Sequence, residues 1–387
     1  MSGLRVLITN VALATRTGTE VYVRDLATAL LARGHTPIAY SPDLGQLAGE
    51  MRNRTIPVVA NLNAISTPPD IIHGHHNNET MTALLHFHGV PAVYFIHDNL
   101  AAHDIPPHFP RILRYVAVDD TCRDRLIFEH GIAEERVRVL LNFVDLKKFK
   151  PRGPLPSRPQ RALVFSHNPD HLNAVREACA HAGIALDVIG QAANNVVAEP
   201  EDLLGNYDIV FAKARCALEA MAVGVAVVLC DRAGAGPMVT TNELSRLRRF
   251  NFGHRTLSSP INAGALTKEI ERYDPMDAAE VTRQIRATAG LDAAVDELIA
   301  LYDEVIAERS AMGEDDAEAE GRAAADFLRW QSLNFNSQLQ EERQRVVECT
   351  REFNDLAVMR WRARILELPV LGKLARLGAR RFKAARR

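Results

Sequence analysis

The first 150 residues alternate short apolar runs with segments whose apolar residues recur at helical spacing. One such segment, EVYVRDLATALLARGH at 20–35, places apolar side chains three and four residues apart, which predicts an amphipathic helix ending at Gly34. The short runs, typical of buried strands, are LRVLITN, TPIAYS, DIIHGHH, AVYFIHD, RYVAVDD and RVRVLLN. Strands that alternate with helices predict a parallel sheet covered by helices on both faces.

A proline-rich segment interrupts this alternation. KPRGPLPSRPQR at 150–161 has no apolar periodicity and predicts a linker. The alternation then restarts, with strands predicted at 162–166, 185–190, 207–211 and 225–230 and helices over 277–309. The second half of the chain is therefore predicted to be built like the first.

These changes of pattern define the predicted domains. They are a first domain, a linker, a second domain that ends in returning helices, and a helical extension, at 1–150, 151–161, 162–310 and 311–387. Within the extension, 322–358 predicts one long helix, and 359–387 is basic and amphipathic. The predicted fold class is α/β, with two Rossmann-like, doubly wound domains followed by helices.

Composition and charge exclude several classes of protein. The 387 residues are 47% hydrophobic and 24% charged with a net charge of −2, which gives no general attraction to nucleic acid. Five scattered cysteines form no CxxC pair, which favours a reducing compartment over a disulfide framework. We expect neither a leader segment nor a membrane-spanning helix, and therefore a cytoplasmic protein.

The C-terminal segment departs from this charge balance. Residues 360–387 contain ten Lys/Arg and one acidic residue, interleaved with apolar side chains. Residues 359–387 therefore predict a helix on an anionic membrane surface, which would hold the protein at the inner face of the membrane. Two alternatives stay open: a homo-oligomer contact through the C-terminal helices, and docking onto the body of the protein.

Polar segments follow the predicted strands, where ligands bind in doubly wound sheets. They are TRTGTE, HGHHNN and HDN in the first domain and SHNP, GQ, AKAR and DRAGAGP in the second. The candidate ligand-contacting residues in them are Glu20, His75, His76, His97 and Asp98 on the first domain and His167 and Gly190 on the second.

Two glycine-containing turns are candidate anion sites. Gly18, next to Thr19, lets the backbone approach a ligand at the start of a helix, where the helix dipole favours negative charge. An ordinary helix cap by a neighbouring threonine is the alternative. The run Gly234, Ala235 and Gly236 follows a buried strand and suits an anion-binding nest, with a plain glycine turn as the alternative.

Histidines cluster at the strand ends of the first domain. His97 follows four apolar residues, so its imidazole either faces the cleft or is a satisfied core histidine. His73, His75 and His76 lie close together, and the first two share a face of a strand. No third ligand is evident, so we expect no metal ion.

One carboxylate stands in an apolar helix of the second domain. Glu219 lies between Leu218 and Ala220 in a segment otherwise made of apolar and small residues. A buried carboxylate is costly unless a donor hydrogen-bonds to it, so the pattern requires a partner for Glu219.

Five segments occur in a familiar order: GTEVYVRDLATALLARGH, DIIHGHH, VYFIHD, YVAVDDTCRDRLIFEHGIAEERVRVLLNFVDLKKFKP and ALEAMAVGVAVVLCD. Together they resemble the large family of retaining, metal-independent GT-B glycosyltransferases, which includes bacterial mannosyl- and glucosyltransferases of cell-surface polysaccharides. The resemblance covers residues 4 to about 300. It implies two Rossmann-like domains facing across a cleft, with the donor mainly on the second and the acceptor mainly on the first.

The resemblance also implies roles for individual residues. Glu219 corresponds to a glutamate that holds the donor ribose, and Gly18 to a loop near the diphosphate. His97 corresponds to a histidine that contacts the transferred sugar, and 234–236 to a glycine turn near the phosphates. The expected donor is a UDP- or GDP-linked sugar, the expected acceptor is a sugar or a lipid-linked molecule, and no cofactor is expected.

Three features depart from the family pattern. Phe211 stands eight residues before Glu219, where the family has a first glutamate, and the loop between them is shortened. The segment after the first strand of the second domain lacks the Arg and Lys that neutralise the leaving diphosphate. An Asn-Gly pair of the interdomain segment is Asn142-Phe143 here.

A departing diphosphate needs compensating charge. We therefore predict that Lys213 and Arg215 supply it and act with His97 as the catalytic residues. The predicted function is transfer of a sugar from a nucleoside diphosphate donor to a hydroxyl, with retention and without a metal. The missing cations and glutamate favour an alternative, a catalytically degenerate GT-B protein that serves as a binding or scaffold module. A sugar-nucleotide epimerase of this fold has no specific support.

Overall fold

The computed structural model describes residues 3–98, 100–165, 170–190, 197, 199–313 and 316–367. The chain divides into two compact units, Met1–Ala317 and Glu318–Arg387. Most of the predicted membrane segment 359–387 and the predicted donor residue His167 lie outside the described residues.

Among the described residues, the first unit begins with nine parallel strands. Six of them coincide with the six predicted runs, and three two-residue strands had no predicted counterpart. The strands are β1 Arg5–Thr9, β2 Ala12–Leu13, β3 Thr36–Tyr40, β4 Asp43–Leu44, β5 Val58–Val59, β6 Ile71–His75, β7 Ala92–Ile96, β8 Ile112–Ala117 and β9 Val137–Val139. Seven of them form one parallel sheet in the order β5-β3-β1-β6-β7-β8-β9, and β2 pairs with β4. The helices between them are α1 Gly18–Ala32, α2 Gln46–Asn53, α3 Asn77–His86 and α4 Asp120–Asp124, which continues as a π-helical turn over Arg125–Glu129.

A second sheet follows the proline-rich segment. Its strands are β10 Arg161–Phe165, β11 Ala185–Ile189, β12 Ile209–Ala212, β13 Ala226–Asp231 and β14 Gly234–Met238, in the order β11-β10-β12-β13-β14. The first four are parallel and β14 is antiparallel. The helices of this half are α5 Leu172–Ala182, α6 Glu201–Leu204, α7 Ala214–Val223, α8 Thr241–Arg248, α9 Ala263–Ile270 and α10 Pro275–Thr288.

Alternate residues of the second sheet enter two separate cores. Leu163, Val210 and Val227 pack on one face, whereas Val164 and Phe211 pack on the other. This period of two is what a strand buried on both faces requires. Phe211, which stands where the family has a glutamate, is therefore a core side chain with no exposed surface.

The next helix, α11 Leu291–Ala311, crosses from the second sheet back to the first. Its side chains Val295, Leu298 and Tyr302 are buried in the same core as Val6 and Ile8 of β1. The last twenty residues of the predicted second domain, 162–310, are thus part of the first core, in agreement with the predicted returning helices, and the domain bounds themselves stay a prediction. Apolar periodicity identifies the buried face of a helix and not the surface that the helix covers.

The second unit is described here by a single helix, α12 Ala317–Glu367, which is longer than the predicted 322–358. Its large apolar side chains, among them Leu328, Phe335, Phe353 and Trp361, are exposed. Among the described helices, none combines the length and apolar character needed to cross a membrane.

The packing of α11 predicts a stability effect in the first half of the chain. Replacing Leu298 by Ala leaves a cavity against the first sheet and should lower the free energy of unfolding by about 2–5 kcal/mol. Replacing its exposed neighbour Glu297 by Ala is the control and should change it by less than about 0.5 kcal/mol. Urea unfolding of both variants measures the difference, and equal midpoints would show that α11 does not contribute to this core.

Candidate functional site

Both sheets reverse their winding direction between two neighbouring strands. The reversal lies between β1 and β6 in the first sheet and between β10 and β12 in the second. Ligands of doubly wound sheets bind outside the carboxyl ends of the strands at such points. In this chain, these ends carry the loop before α1, the histidines after β6, and Lys213 at the start of α7.

The loop before α1 is organised by the carboxylate of Glu20. One oxygen accepts hydrogen bonds from the amides of Ala14 and Thr15, and the other from the Thr15 hydroxyl and the Thr17 amide, all at 2.7–3.0 Å. Burial alone would raise the pKa of Glu20, but these bonds lower it below its ordinary value. Glu20 was predicted as an acceptor-side residue; since its acceptor sites are filled and it is buried, it shapes the loop instead.

Gly18 and Thr19 begin α1 directly after this loop. Gly18 is exposed, and a side chain added there would meet nothing within 4 Å. The surface at this helix start is therefore open, as a ligand loop requires. Contact with a diphosphate stays a prediction.

His97 is held in place by a second histidine. It follows β7, and its Nε2 lies 2.7 Å from Nδ1 of His75, at the end of the neighbouring strand β6. His75 is fully buried, whereas His97 is partly exposed. Burial lowers the pKa of His97 to about 4 and that of His75 well below its ordinary value, so both rings are neutral at neutral pH. His75, predicted on the acceptor side, is therefore a buried hydrogen-bond partner that holds the ring of His97 in place.

His73, in the same cluster, is buried and pairs with α11. Its Nδ1 lies 2.5 Å from the hydroxyl of Tyr302, and its ring stacks on Phe95 with centroids 4.1 Å apart. Burial lowers the pKa of His73 well below its ordinary value. This histidine belongs to the core that α11 completes.

His76 caps α3 and was also predicted on the acceptor side. It is buried, and its backbone lies in the left-handed region with φ of 61°. Its Nδ1 accepts a hydrogen bond from the amide of Val11 at 3.0 Å. Burial lowers the pKa of His76 to about 3, so the neutral ring carries its proton on Nε2. That proton faces Asp104, whose Oδ1 lies 3.7 Å away.

This tautomer bears on metal binding. His76, His103 and Asp104 offer ligand atoms within 4.8 Å of one another, the spacing of a metal site. A metal ligand needs a free lone pair on the coordinating nitrogen, and ligating histidines normally donate from the other nitrogen. Because Nδ1 of His76 accepts a hydrogen bond instead of donating one, Nε2 carries the ring proton and is poorly suited to bind a cation. The expectation of a metal-free site stays a prediction.

Asp104 positions the loop that carries His97. Its Oδ2 accepts hydrogen bonds from the amides of His97 and Asp98, at 2.9 and 2.5 Å. Asp98, another predicted acceptor-side residue, is exposed at the rim and caps its own turn by accepting from the amide of Leu100. Burial raises the pKa of Asp104 to about 7, and the two amide bonds offset this only in part.

In the second half, Arg215 is the partner that Glu219 requires. Both lie on α7, four residues apart, and Nε of Arg215 donates to Oε1 of Glu219 at 2.7 Å. The same guanidinium donates to Asp25 of α1 at 2.5 Å and so joins the two halves of the first unit. Burial alone would raise the pKa of Asp25, but Arg215 and Arg24 lower it, whereas burial raises the pKa of Glu219 despite Arg215.

These contacts correct the prediction for the two cations. Arg215 is largely buried between two carboxylates, and Lys213 lies 2.5 Å from Asp231 and 3.1 Å from His254. Both charges therefore have partners within the protein. Either side chain would have to leave its carboxylate, or be shared with it, before it could neutralise a diphosphate.

Helix α1 brings the two candidate groups together. Tyr22 packs edge-on against the rings of His75 and His97, with centroids 5.3 and 5.0 Å away. Asp25 follows three residues later on the same helix face and bonds Arg215. His97 of the first half and Glu219 of the second are thus linked through one buried helix face.

The glycine turn of the second half is not an anion nest. Gly234, Ala235 and Gly236 belong to β14, and the amide of Ala235 donates to the carbonyl of Ser259 at 2.8 Å. A side chain on either glycine would collide with a backbone oxygen of the neighbouring segment, at 2.5–2.7 Å. The glycines thus allow close strand packing. Gly190, the other predicted donor-side glycine, ends β11 with φ of 109° and is buried.

The sequence prediction missed three supporting residues, namely Asp25, Asp104 and Tyr22. The Arg215–Glu219 pair had a signal, because opposite charges four residues apart on a helix lie side by side. Asp25 and Arg215 are 190 residues apart in the chain, and no local pattern connects them.

Comparisons with known proteins agree with this architecture. Residues 16–148 match the family model described as Glycosyltransferase Family 4. Among solved structures, a glycosyltransferase from Rickettsia africae ESF-5 is similar with a TM-score of 0.58 at 16% identity, over 79% of this chain and 99% of that one. The fold is GT-B. This fold and the family match support a glycosyltransferase.

Two further structures are similar at lower scores. The S. aureus MnaA–UDP co-structure has a TM-score of 0.48 at 14% identity, over 81% of this chain and 100% of that one. MurG from Acinetobacter baumannii has a TM-score of 0.46 at 10% identity, over 78% and 99%. No curated protein sequence matches the chain.

The environment of Asp104 predicts a pH-dependent stability. Because the pKa of Asp104 in the folded protein, about 7, lies above its ordinary 3.8, its contribution to stability is complete below pH 3.8 and is lost as the pH rises through 7. Asp104→Asn keeps an oxygen for the two amides and cannot ionise. Above pH 7 it should be more stable than wild type by more than about 1.4 kcal/mol, the equivalent of one pKa unit.

Chemical unfolding across this pH range measures the effect of Asp104→Asn. The difference in the free energy of unfolding between variant and wild type should shrink towards the acidic end, where wild-type Asp104 is protonated and, like asparagine, uncharged. A constant difference between the two proteins at every pH would show that Asp104 does not titrate in this window.

Proposed function

We propose that this protein is a retaining, metal-independent glycosyltransferase that uses a nucleoside diphosphate sugar and a hydroxyl acceptor. The GT-B fold and the family match over the first half support the reaction class. The observation that carries the proposal is the pair of candidate groups at the junction of the two halves, His97 and Glu219, connected through Tyr22 and Asp25 of α1.

Glu219 is the proposed ribose ligand. Arg215 holds Oε1, and among the described residues Oε2 accepts no hydrogen bond. A carboxylate oxygen held in this way can accept a hydrogen bond from a ribose hydroxyl without giving up its arginine. Arg215 thus fixes the orientation of the carboxylate instead of competing with the nucleotide.

His97 is the proposed contact to the transferred sugar. Its imidazole is neutral because burial lowers its pKa to about 4, so it would act as a hydrogen-bonding group and not as a fixed positive charge. His75 fixes the ring from one side and Tyr22 from another. A sugar hydroxyl near the exposed edge of His97 would meet a group whose orientation is already set.

The donor and acceptor classes extend this proposal. A UDP- or GDP-linked sugar fits a carboxyl group on the second half that accepts hydrogen bonds from ribose hydroxyls. A lipid-linked acceptor fits the basic, amphipathic 359–387, which we propose contacts an anionic membrane. Flotation with anionic vesicles, with and without these residues, tests this contact, and equal behaviour of the two forms would exclude it.

Two observations favour a second candidate, a binding or scaffold protein without catalysis. Lys213 and Arg215 are already paired with carboxylates, and Phe211 fills a core position where the family has a glutamate. A departing diphosphate would then lack compensating charge among these residues. Such a protein would bind a nucleotide without releasing sugar from it.

Replacing Glu219 by Gln tests the donor site. Losing a charge-assisted hydrogen bond costs about 1.5–3 kcal/mol, so the Kd for UDP or GDP should rise roughly 10- to 150-fold. Glu243→Gln is the control, since it removes an arginine-paired carboxylate of the same half at the surface. Calorimetric titration measures both variants below their unfolding temperatures, where circular dichroism confirms the fold.

The outcomes separate the two functions. An unchanged Kd in Glu219→Gln would show that this residue is not part of the donor site. If the wild type bound neither UDP nor GDP, both the transferase and the scaffold proposal would be contradicted, because each requires nucleotide binding. Release of UDP or GDP from the corresponding sugars, with water as acceptor, would support the transferase. Binding without release would support the scaffold.

A further inference from the structure

Helix α12 presents a long apolar surface to solvent. It contains 51 residues, which makes it about 76 Å long at 1.5 Å per residue. The described residues of its unit form this helix alone. Its exposed large apolar side chains are Leu328, Leu333, Phe335, Leu339, Val346, Val347, Phe353, Leu356, Val358, Met359 and Trp361. An isolated helix of this kind needs a partner to cover its apolar rows.

The apolar residues follow a heptad. Two rows spaced alternately three and four residues apart run from position 325 to position 363, and nine of their twelve positions are apolar. The apolar row residues are Ala325, Leu328, Phe335, Leu339, Val346, Cys349, Phe353, Leu356 and Ala363. A pattern sustained over five heptads is that of a helix paired with another helix.

The charges within the rows select the orientation of the pair. Within 325–363 the charged row residues are Glu342 and Arg360, and the next row position, at the end of α12, is Glu367. In a parallel pair of identical helices each would face its own copy, placing like charges in the interface. In an antiparallel pair centred on position 351, Glu342 of one copy lies opposite Arg360 of the other, twice. In this register Ser332 falls outside the overlap, and Glu367 falls at its very end, opposite position 335.

The same register has enough area for a stable dimer. Two helices ending at 367 and centred on 351 overlap over 335–367, a length of about 50 Å. A contact strip about 10–12 Å wide buries roughly 500–600 Å² on each copy, or about 1,000–1,200 Å² in total, which meets the lower limit of about 1,000 Å² for a specific interface. Within it, Val346 of one copy lies opposite Leu356 of the other.

We propose that α12 is a dimerisation helix that pairs antiparallel with α12 of a second copy of this chain, with Glu342 opposite Arg360 across the interface. The helix, its heptad rows and the complementary row charges carry this inference, which does not depend on the proposed function. The full-length chain should therefore be a dimer in solution, with twice the 42.8 kDa mass of the monomer.

Two neighbouring valines provide a matched test. Val346 lies in the rows and Val347 outside them, with 62% and 60% of their surfaces exposed in the single chain. Val346→Glu should raise the dimer Kd at least about tenfold, because it places an unpaired charge in the interface. Val347→Glu should leave it unchanged. Light scattering after gel filtration measures the mass, and circular dichroism verifies that both variants stay helical.

Charge reversal tests the orientation. Glu342→Arg and Arg360→Glu should each shift the chain to monomer, since each places like charges opposite one another. The double variant should restore the dimer, and mixing the two single variants should give a heterodimer. In a parallel pair, each reversed residue would still face its own copy, so the double variant would offer no rescue. The mixture pairs opposite charges in either orientation, so the double variant decides the orientation.

Several results would overturn the inference. These are a wild-type chain that is monomeric at micromolar concentration, an equal effect of Val346→Glu and Val347→Glu, and charge reversals that leave the mass unchanged. A dimer that survives both valine variants and all charge reversals would place the interface elsewhere on the chain.

Discussion

The buried guanidinium of Arg215 is the interaction on which the candidate site depends. It contacts Glu219 of its own helix and Asp25 of the other half, at 2.7 and 2.5 Å, and Asp25 is held by Arg24 as well, at 2.7 Å. Burying Glu219 depends on this arginine, because an uncompensated charge in a protein interior costs several kcal/mol. One side chain therefore maintains a carboxylate at the proposed ribose position and attaches that position to the first half.

From this contact the site extends through α1. Asp25, which receives Arg215, lies one turn after Tyr22, which packs on His97 and His75. The helix begins at the loop that Glu20 organises with four hydrogen bonds. The single helix α1 thus contacts the loop, the histidine pair and the arginine that holds Glu219. A change at the junction of the halves should therefore alter the position of His97.

Local pattern predicted the strands well, since short apolar runs between helical segments admit few other structures. The order and bounds of β1, β6 and β12 followed from such runs. The pattern predicted a helix at α11 but failed to identify the sheet that it covers, because its periodicity shows only that one face is buried. It also failed for Gly234 and Gly236: two glycines after a strand suit both a ligand turn and an edge strand, and only the neighbouring backbone distinguishes them.

The site was predictable where its members lie close in sequence. His97 and Glu219 stood out as polar groups in apolar surroundings, but their partners did not. Asp25 and Arg215 meet only because the two halves pack together, a long-range contact without a local signal. The carboxylate partners of Lys213 and Arg215 were not predicted for the same reason, because each lies elsewhere in the fold, and the diphosphate role of the two cations stays a prediction.

A double-mutant cycle between Asp25 and Arg215 tests the account most directly. Asp25→Asn, Arg215→Gln and the double variant are compared with wild type by the free energy of unfolding of the full chain. The account predicts a coupling energy above about 1 kcal/mol, well beyond that of the more exposed Arg5–Asp70 pair measured in the same way. Additive effects within about 0.5 kcal/mol would contradict it, because Arg215 would then not join the two halves through Asp25.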